Sequence, residues 1–237
     1  MNTTKTSILT PLAVLGISVL IPGCNQKSAT SQKATIARQQ EELVALEAKR
    51  QARSQELKGM DVPRLIEQLS SDSTRGVEPF NSMAFREIVS RGASAAAPLK
   101  TAISTPSSSS LLGLLALRRI SPAEYKGLEP NLRSQILVDS LRTSKFFNTW
   151  GLPHVAWEEA GKALIEEGRG VESGLVGLLD DKRDARVWGS EGATEAAKFR
   201  YRVCDYAWAL LNEIRGKPGP IPENPAERDK LIEAAKH

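Results

Sequence analysis

Cysteine, histidine and aromatic residues are all scarce in this chain of 237 residues, which holds two cysteines, two histidines and 5% Phe, Trp and Tyr. Two cysteines allow at most one disulfide, and a single histidine besides His237 leaves no histidine-based metal cluster. A Gly-rich phosphate loop is missing, and Ser107–Ser110 lack the context of a nucleophile elbow. A strong charge of one sign is missing too. The net charge of +4 is too small to argue for a nucleic-acid partner. No catalytic or nucleotide constellation stands out, so neither an enzyme nor a cofactor is expected.

No apolar run reaches the roughly 20 residues that a helix needs to cross ~30 Å of hydrocarbon. What is present instead is a short apolar run at the start, from Ile8 to Ile21, behind a polar segment carrying Lys5. Small residues follow, then Cys24. This three-part pattern predicts a cleaved signal over residues 1–23. Ile21-Pro22-Gly23-Cys24 resembles the lipobox of bacterial lipoproteins, with Pro22 departing from the usual residue. The resemblance implies lipid on the Cys24 sulfur, cleavage before it and acylation of the new N-terminus; several acyl chains anchor far more firmly than one. Asn25, where an aspartate would imply inner-membrane retention, favours the outer membrane of the cell envelope. The alternative is an ordinary secretory signal with an incidental cysteine. With Cys24 lipidated, Cys204 remains alone among apolar helical positions and reads as a buried, inert thiol.

Residues 24–34 are polar and small and read as a disordered tether. Residues 35–58 are mostly strong helix formers and predict a solvated helical stalk. Ile36, Leu43, Leu46 and Leu57 follow a heptad, but Arg50 and Arg53 interrupt its seam, so a dimerising coil is the weaker reading.

A helical domain is expected over 61–216, with Asp61 as N-cap of its first helix. Further helices are predicted near 79–91, 96–104 and 111–117, after a Ser121–Glu124 capping box, from Pro130, and over 157–167 and 171–179. The longest is expected at 195–214, where Phe199, Val203, Tyr206, Leu210 and Ile214 trace one face. Residues 217–237 form a Pro-rich tail with a short terminal helix. No strand pattern is apparent, so the fold class is all-α.

The helix pair around Arg91-Gly92-Ala93 and the pair around Gly168-Arg169-Gly170 resemble HEAT repeats. Their glycine turns lie 76 residues apart, about two lengths of the ~40-residue class. Trp150–His154 and Tyr201–Ala207 are similar to a region of uncharacterised bacterial HEAT-repeat proteins. The resemblance implies a HEAT/armadillo-like α-solenoid and brings no activity with it.

Candidate site residues cluster late in the chain: Trp150, His154, Trp157, Glu158, Asp181, Trp188 and Glu191. His154 and Glu158, four apart, would share a helix face, but no second ligand follows at metal-binding spacing. Glu158 with Asp180 or Asp181 could form a carboxylate pair for glycoside cleavage. The simpler reading makes these acids caps and solubilising groups, and the tryptophans core. The expected function is a lipid-anchored envelope scaffold that binds a protein partner. An envelope hydrolase or carbohydrate-binding protein, and a spacer without a ligand, are the alternatives.

Overall fold

Helix α1 (Gln26–Gly59) forms where proline is absent and glycine comes only at the last position. It begins inside the segment read as a tether. Ala29, Lys33 and Ala34 favour helix, and extending an existing helix needs no new nucleus. The computed structural model describes residues 26–74, 81–104, 107 and 109–236, with the side chains of 26–31, 73, 74, 190 and 191 outside that description. Cys24 and the signal segment therefore lie outside the described residues.

The chain divides into two units, one ending at Gln51 and one spanning Ala52–His237. In the first, α1 exposes Ile36, Leu43, Val44 and Leu46, and Arg38 pairs with Glu42 at 3.2 Å on its surface. Among the described residues, no helix is long and apolar enough to cross a membrane.

The described residues of the second unit are mostly helical. The final turns of α1 bury Leu57, and Arg91 donates to the carbonyls of Leu57 and Lys58 at 3.2 Å each. Asp61 caps α2 (Val62–Thr74) by accepting from the Arg64 amide at 3.0 Å. Helix α3 starts at Met83 because Ser82 caps it, accepting from Phe85 N–H at 3.0 Å. It runs to Ser90. A 3-10 turn (Gly92–Ala95) then leads into α4 (Ala96–Ile103).

Helix α5 (Ser110–Ile120) buries Leu112, Leu114, Leu115 and Leu117, as its all-round apolar sequence requires. It packs against α2, α3 and α4, and against three later helices: α6 (Pro122–Lys126), α7 (Pro130–Thr143) and α8 (Glu159–Glu167). Gly113 allows the close approach of α4, since a Cβ there would stand 2.9 Å from Ile103 Cγ2. The expected capping box at Ser121 does not form. Glu124 turns instead to Lys100 Nζ at 2.6 Å, where it satisfies a full charge.

A second helix pair mirrors the first. Helix α8 ends at Gly168, a 3-10 turn spans Gly168–Val171, and α9 covers Glu172–Val176. Gly92 and Gly168 both have φ near +60°, the left-handed region that ends a helix at little cost for glycine.

Two expectations are corrected. A small hairpin pairs β1 (Gly151–Leu152) with β2 (Ala156–Trp157), so the fold is not wholly without strands. The long helix expected at 195–214 is two helices, α10 (Ser190–Phe199) and α11 (Val203–Ile214). Arg200 between them adopts the left-handed conformation at φ 49°, ψ 57°. Three interactions sustain the break. Asp205 accepts from the Arg202 amide at 2.8 Å and so caps α11. Tyr201 C=O accepts from Ala185 N–H at 2.8 Å. Arg228, on α12 (Pro225–Ala235), donates to the carbonyls of Phe199 and Arg200 at 2.8 and 3.3 Å. The Asp205 cap is local, but Ala185 and Arg228 are distant in sequence from Arg200, and helical periodicity does not register such contacts.

Candidate functional site

The sequence Phe146-Phe147-Asn148-Thr149-Trp150 has no helical spacing and instead forms a turn that holds two aromatic side chains inward. Phe147 is fully buried and Trp150 is 1% exposed. Trp150 Nε1–H donates to Ser144 Oγ at 2.9 Å, which satisfies the one polar atom the indole takes into the core. The backbone then enters the hairpin through Gly151 at φ 95°. A Cβ there would lie 2.2 Å from Ala156 O, so only glycine closes this turn.

Tyr206 of α11 fixes the hairpin from below. Its hydroxyl donates to Gly151 C=O at 2.7 Å, and its ring meets Phe147, Trp157 and Tyr201. Burial raises the pKa of Tyr201 and Tyr206 well above the ordinary phenol value. Both are therefore fixed as neutral hydrogen-bond donors.

His154 occupies the hairpin turn, not the start of a helix. Glu158 is the N-cap residue of α8, so the two do not share a helix face as expected. The His154 ring stacks on Phe199 with centroids 4.0 Å apart. Its Nε2 lies 3.3 Å from the Glu195 carboxylate, and its Nδ1 is 2.7 Å from the Tyr201 hydroxyl. A carboxylate only accepts, so Nε2 carries a proton; in the neutral ring Nδ1 then accepts from the Tyr201 hydroxyl. Both ring nitrogens are thus occupied in joining the hairpin to α10 and the segment after it.

Asp181 sits elsewhere, closed on Arg183, whose guanidinium contacts both carboxylate oxygens. Those hydrogen bonds hold the Asp181 carboxyl below its usual range. Asp180 pairs with Lys236 at 2.7 Å. Neither Asp180 nor Asp181 is in the lining of the cavity that contains Glu158, and the Glu191 side chain lies outside the described residues. Cys204 is fully buried, and burial pushes its thiol up to about 11. Among the described residues, no group of His, Cys, Asp and Glu could hold a metal ion.

A cavity of about 250 Å³ opens beside the hairpin. Leu152, Val155, Ala156 and Val187 supply an apolar lining, and Asn148, Glu158 and Glu159 bring polar atoms to it. Small-molecule pockets commonly span about 300–1,000 Å³. This one is smaller, which suits it to one or two side chains better than to a cofactor. Glu159 pairs with Arg118 Nη1 at 3.2 Å, and the same guanidinium also holds Glu166.

Next to the cavity stands an aromatic shelf. Trp188 is 51% exposed, and its ring lies 6.1 Å from that of Phe146. Asn148 holds the backbone at Trp188 with both ends of its amide. Its Nδ2 donates to Trp188 C=O at 2.7 Å, and its Oδ1 accepts from Trp188 N–H at 3.1 Å. Of the expected tryptophans, then, Trp150 is core, Trp157 is partly buried and Trp188 faces solvent. Asn148 and Val155 were not foreseen as site residues. Nothing in the sequence links Asn148 to residue 188, forty positions away.

No protein-family model, curated protein or solved structure matches this chain.

Proposed function

We propose that the chain is a lipid-anchored cell-envelope protein that acts as a protein–protein interaction scaffold. In this reading Cys24 carries the lipid, in the outer membrane by preference. Helix α1 is the stalk, and the helical domain is a HEAT/armadillo-like α-solenoid that offers its hairpin face to a protein partner. The two helix–3-10–helix units, each hinged at a left-handed glycine, support the repeat reading. The observation that carries the binding reading is Trp188, exposed but rigidly mounted beside an apolar cavity. Large aromatics in such positions are common anchors of protein interfaces, and a rigid mount lowers the ordering cost of binding.

The test combines two variants in the full chain. Detergent partitioning and intact mass of wild type and Cys24→Ala report on the anchor: added lipid mass and detergent partitioning in wild type alone support it, and two soluble, unmodified chains overturn it. Mild crosslinking in cells of wild type and Trp188→Ala reports on the partner. A protein recovered with wild type and lost with Trp188→Ala supports the scaffold. Recovery that ignores the substitution, or no recovery at all, counts against it.

A second reading, a carbohydrate-binding protein or envelope hydrolase, draws on the same exposed indole and on Glu158 in the cavity lining. It predicts saccharide binding that is lost in Trp188→Ala.

A further inference from the structure

Two glutamates, Glu158 and Glu159, line the cavity, and their carboxylates differ in their surroundings. Glu159 is paired with Arg118. Glu158 is exposed, and among the described residues its carboxylate takes part in no hydrogen bond or ion pair; Lys162, one turn further along α8, does not pair with it. An uncompensated carboxylate thus borders a recess made of Leu152, Val155, Ala156 and Val187.

Each part of this surface asks for a different group. The recess removes aliphatic surface from water, at about 25 cal/mol per Å². Its volume of about 250 Å³ is of the size that one or two side chains fill. The Glu158 carboxylate favours a cation. The faces of Trp188 and Phe146 also attract cations, and they cover apolar stems. A ligand that meets all three places an aliphatic group and a cationic group in succession along a chain.

From this charge complementarity we infer that the cavity takes a segment of a partner protein in which an aliphatic residue adjoins an arginine or lysine. The aliphatic side chain fills the recess and the cation meets Glu158. This rests on the reading of the cavity as a partner site and adds the chemistry of the partner.

The test uses the full chain and fluorescein-labelled, N-acetylated octapeptides in a Ser/Gly background, with Leu-Arg, Leu-Glu or Ser-Arg at the centre. Binding is followed by fluorescence anisotropy at low ionic strength. Wild type should prefer Leu-Arg over Leu-Glu by about threefold, the scale of one exposed ion pair. Loss of the leucine in Ser-Arg should also weaken binding. Glu158→Gln should abolish the Arg-over-Glu margin, and Glu158→Lys should reverse it. Both are surface changes, so unchanged thermal unfolding certifies the fold.

Equal binding of Leu-Arg and Leu-Glu by wild type, or a margin that survives both substitutions, overturns the inference. If Trp188→Ala still abolishes peptide binding in that case, the partner site stands and only its charge preference falls. If wild type binds none of the peptides but binds a β-1,4-linked N-acetylglucosamine tetramer in a Trp188-dependent way, both fall together.

Discussion

Arg228 Nε lies 3.0 Å from Asp205 Oδ1, and neither side chain has any exposure to solvent. The approach is off the hydrogen-bonding direction of Nε, so the contact is one of charge. The other guanidinium nitrogens donate to four carbonyls, those of Pro222, Glu223, Phe199 and Arg200. Arg202 adds a second cation to Asp205 at 2.9 Å. One arginine of the C-terminal helix thereby ties together the α10–α11 break, the cap of α11 and the Pro-rich segment before α12.

Arg228→Ala leaves those carbonyls and a buried carboxylate short of a partner. Breaking a buried pair from one side costs about 3–5 kcal/mol. Urea denaturation should show a loss of that order. A loss under about 1 kcal/mol would mean that α12 unfolds separately from the rest.

Gly151→Ala should destabilise the domain and disturb the cavity. Its Cβ would meet Ala156 O at 2.2 Å, on a backbone at φ +95°. Strain of this kind costs about 1–3 kcal/mol. Gly59→Ala is the matched control, since a Cβ there meets nothing within 4 Å. Comparison of the two melting temperatures checks the prediction: Gly151→Ala should melt lower and Gly59→Ala should not.

The chain has three tyrosines, and all three are shifted upward. Burial is the first cause at Tyr125, Tyr201 and Tyr206. A raised phenol pKa favours the neutral form in the folded state, so this stability is complete below the ordinary value of 10.0 and is lost as pH rises through the folded values. Cys204 behaves likewise between 9.0 and about 11. Absorbance at the tyrosinate band should therefore stay low in the native protein at pH values where the urea-unfolded chain has already ionised. Cys204 should resist thiol reagents until the fold opens. A gradual rise at the unfolded midpoint would show that the aromatic cluster is open to water.

Trp150 and Trp188 should separate stability from binding. Trp150→Ala empties a buried site and should cost about 3–5 kcal/mol. Trp188→Ala removes an exposed ring and should change stability by no more than about 0.5 kcal/mol. Urea denaturation of both variants decides the matter. Equal losses would place Trp188 in the core.

Much of the helical frame was legible because its signals are local. Asp61, Gly92, Gly168 and Gly216 mark helix ends through their own chemistry, and the apolar periodicity of α5 needs no distant partner. Cys204 could be read as buried for the same reason. What escaped was set by contacts far apart in sequence. Arg200 and Tyr201 look like any helical residues until Arg228 meets the carbonyl of the first and Ala185 that of the second. His154 and Glu158 have helical spacing, yet the glycine-specific turn at Gly151 makes a hairpin there. The site was half legible: the late tryptophan-rich stretch drew attention, but only three dimensions distinguish the mounted Trp188 from the buried Trp150.

The Asp205–Arg228 pair also orders events in time. A ribosome makes the acid before the base, so a growing chain that has released Asp205 but not Arg228 has only Arg202 with which to offset it. The α10–α11 corner is then without the clamp on its two carbonyls. The corner reaches its finished form only once residue 228 is present to close it.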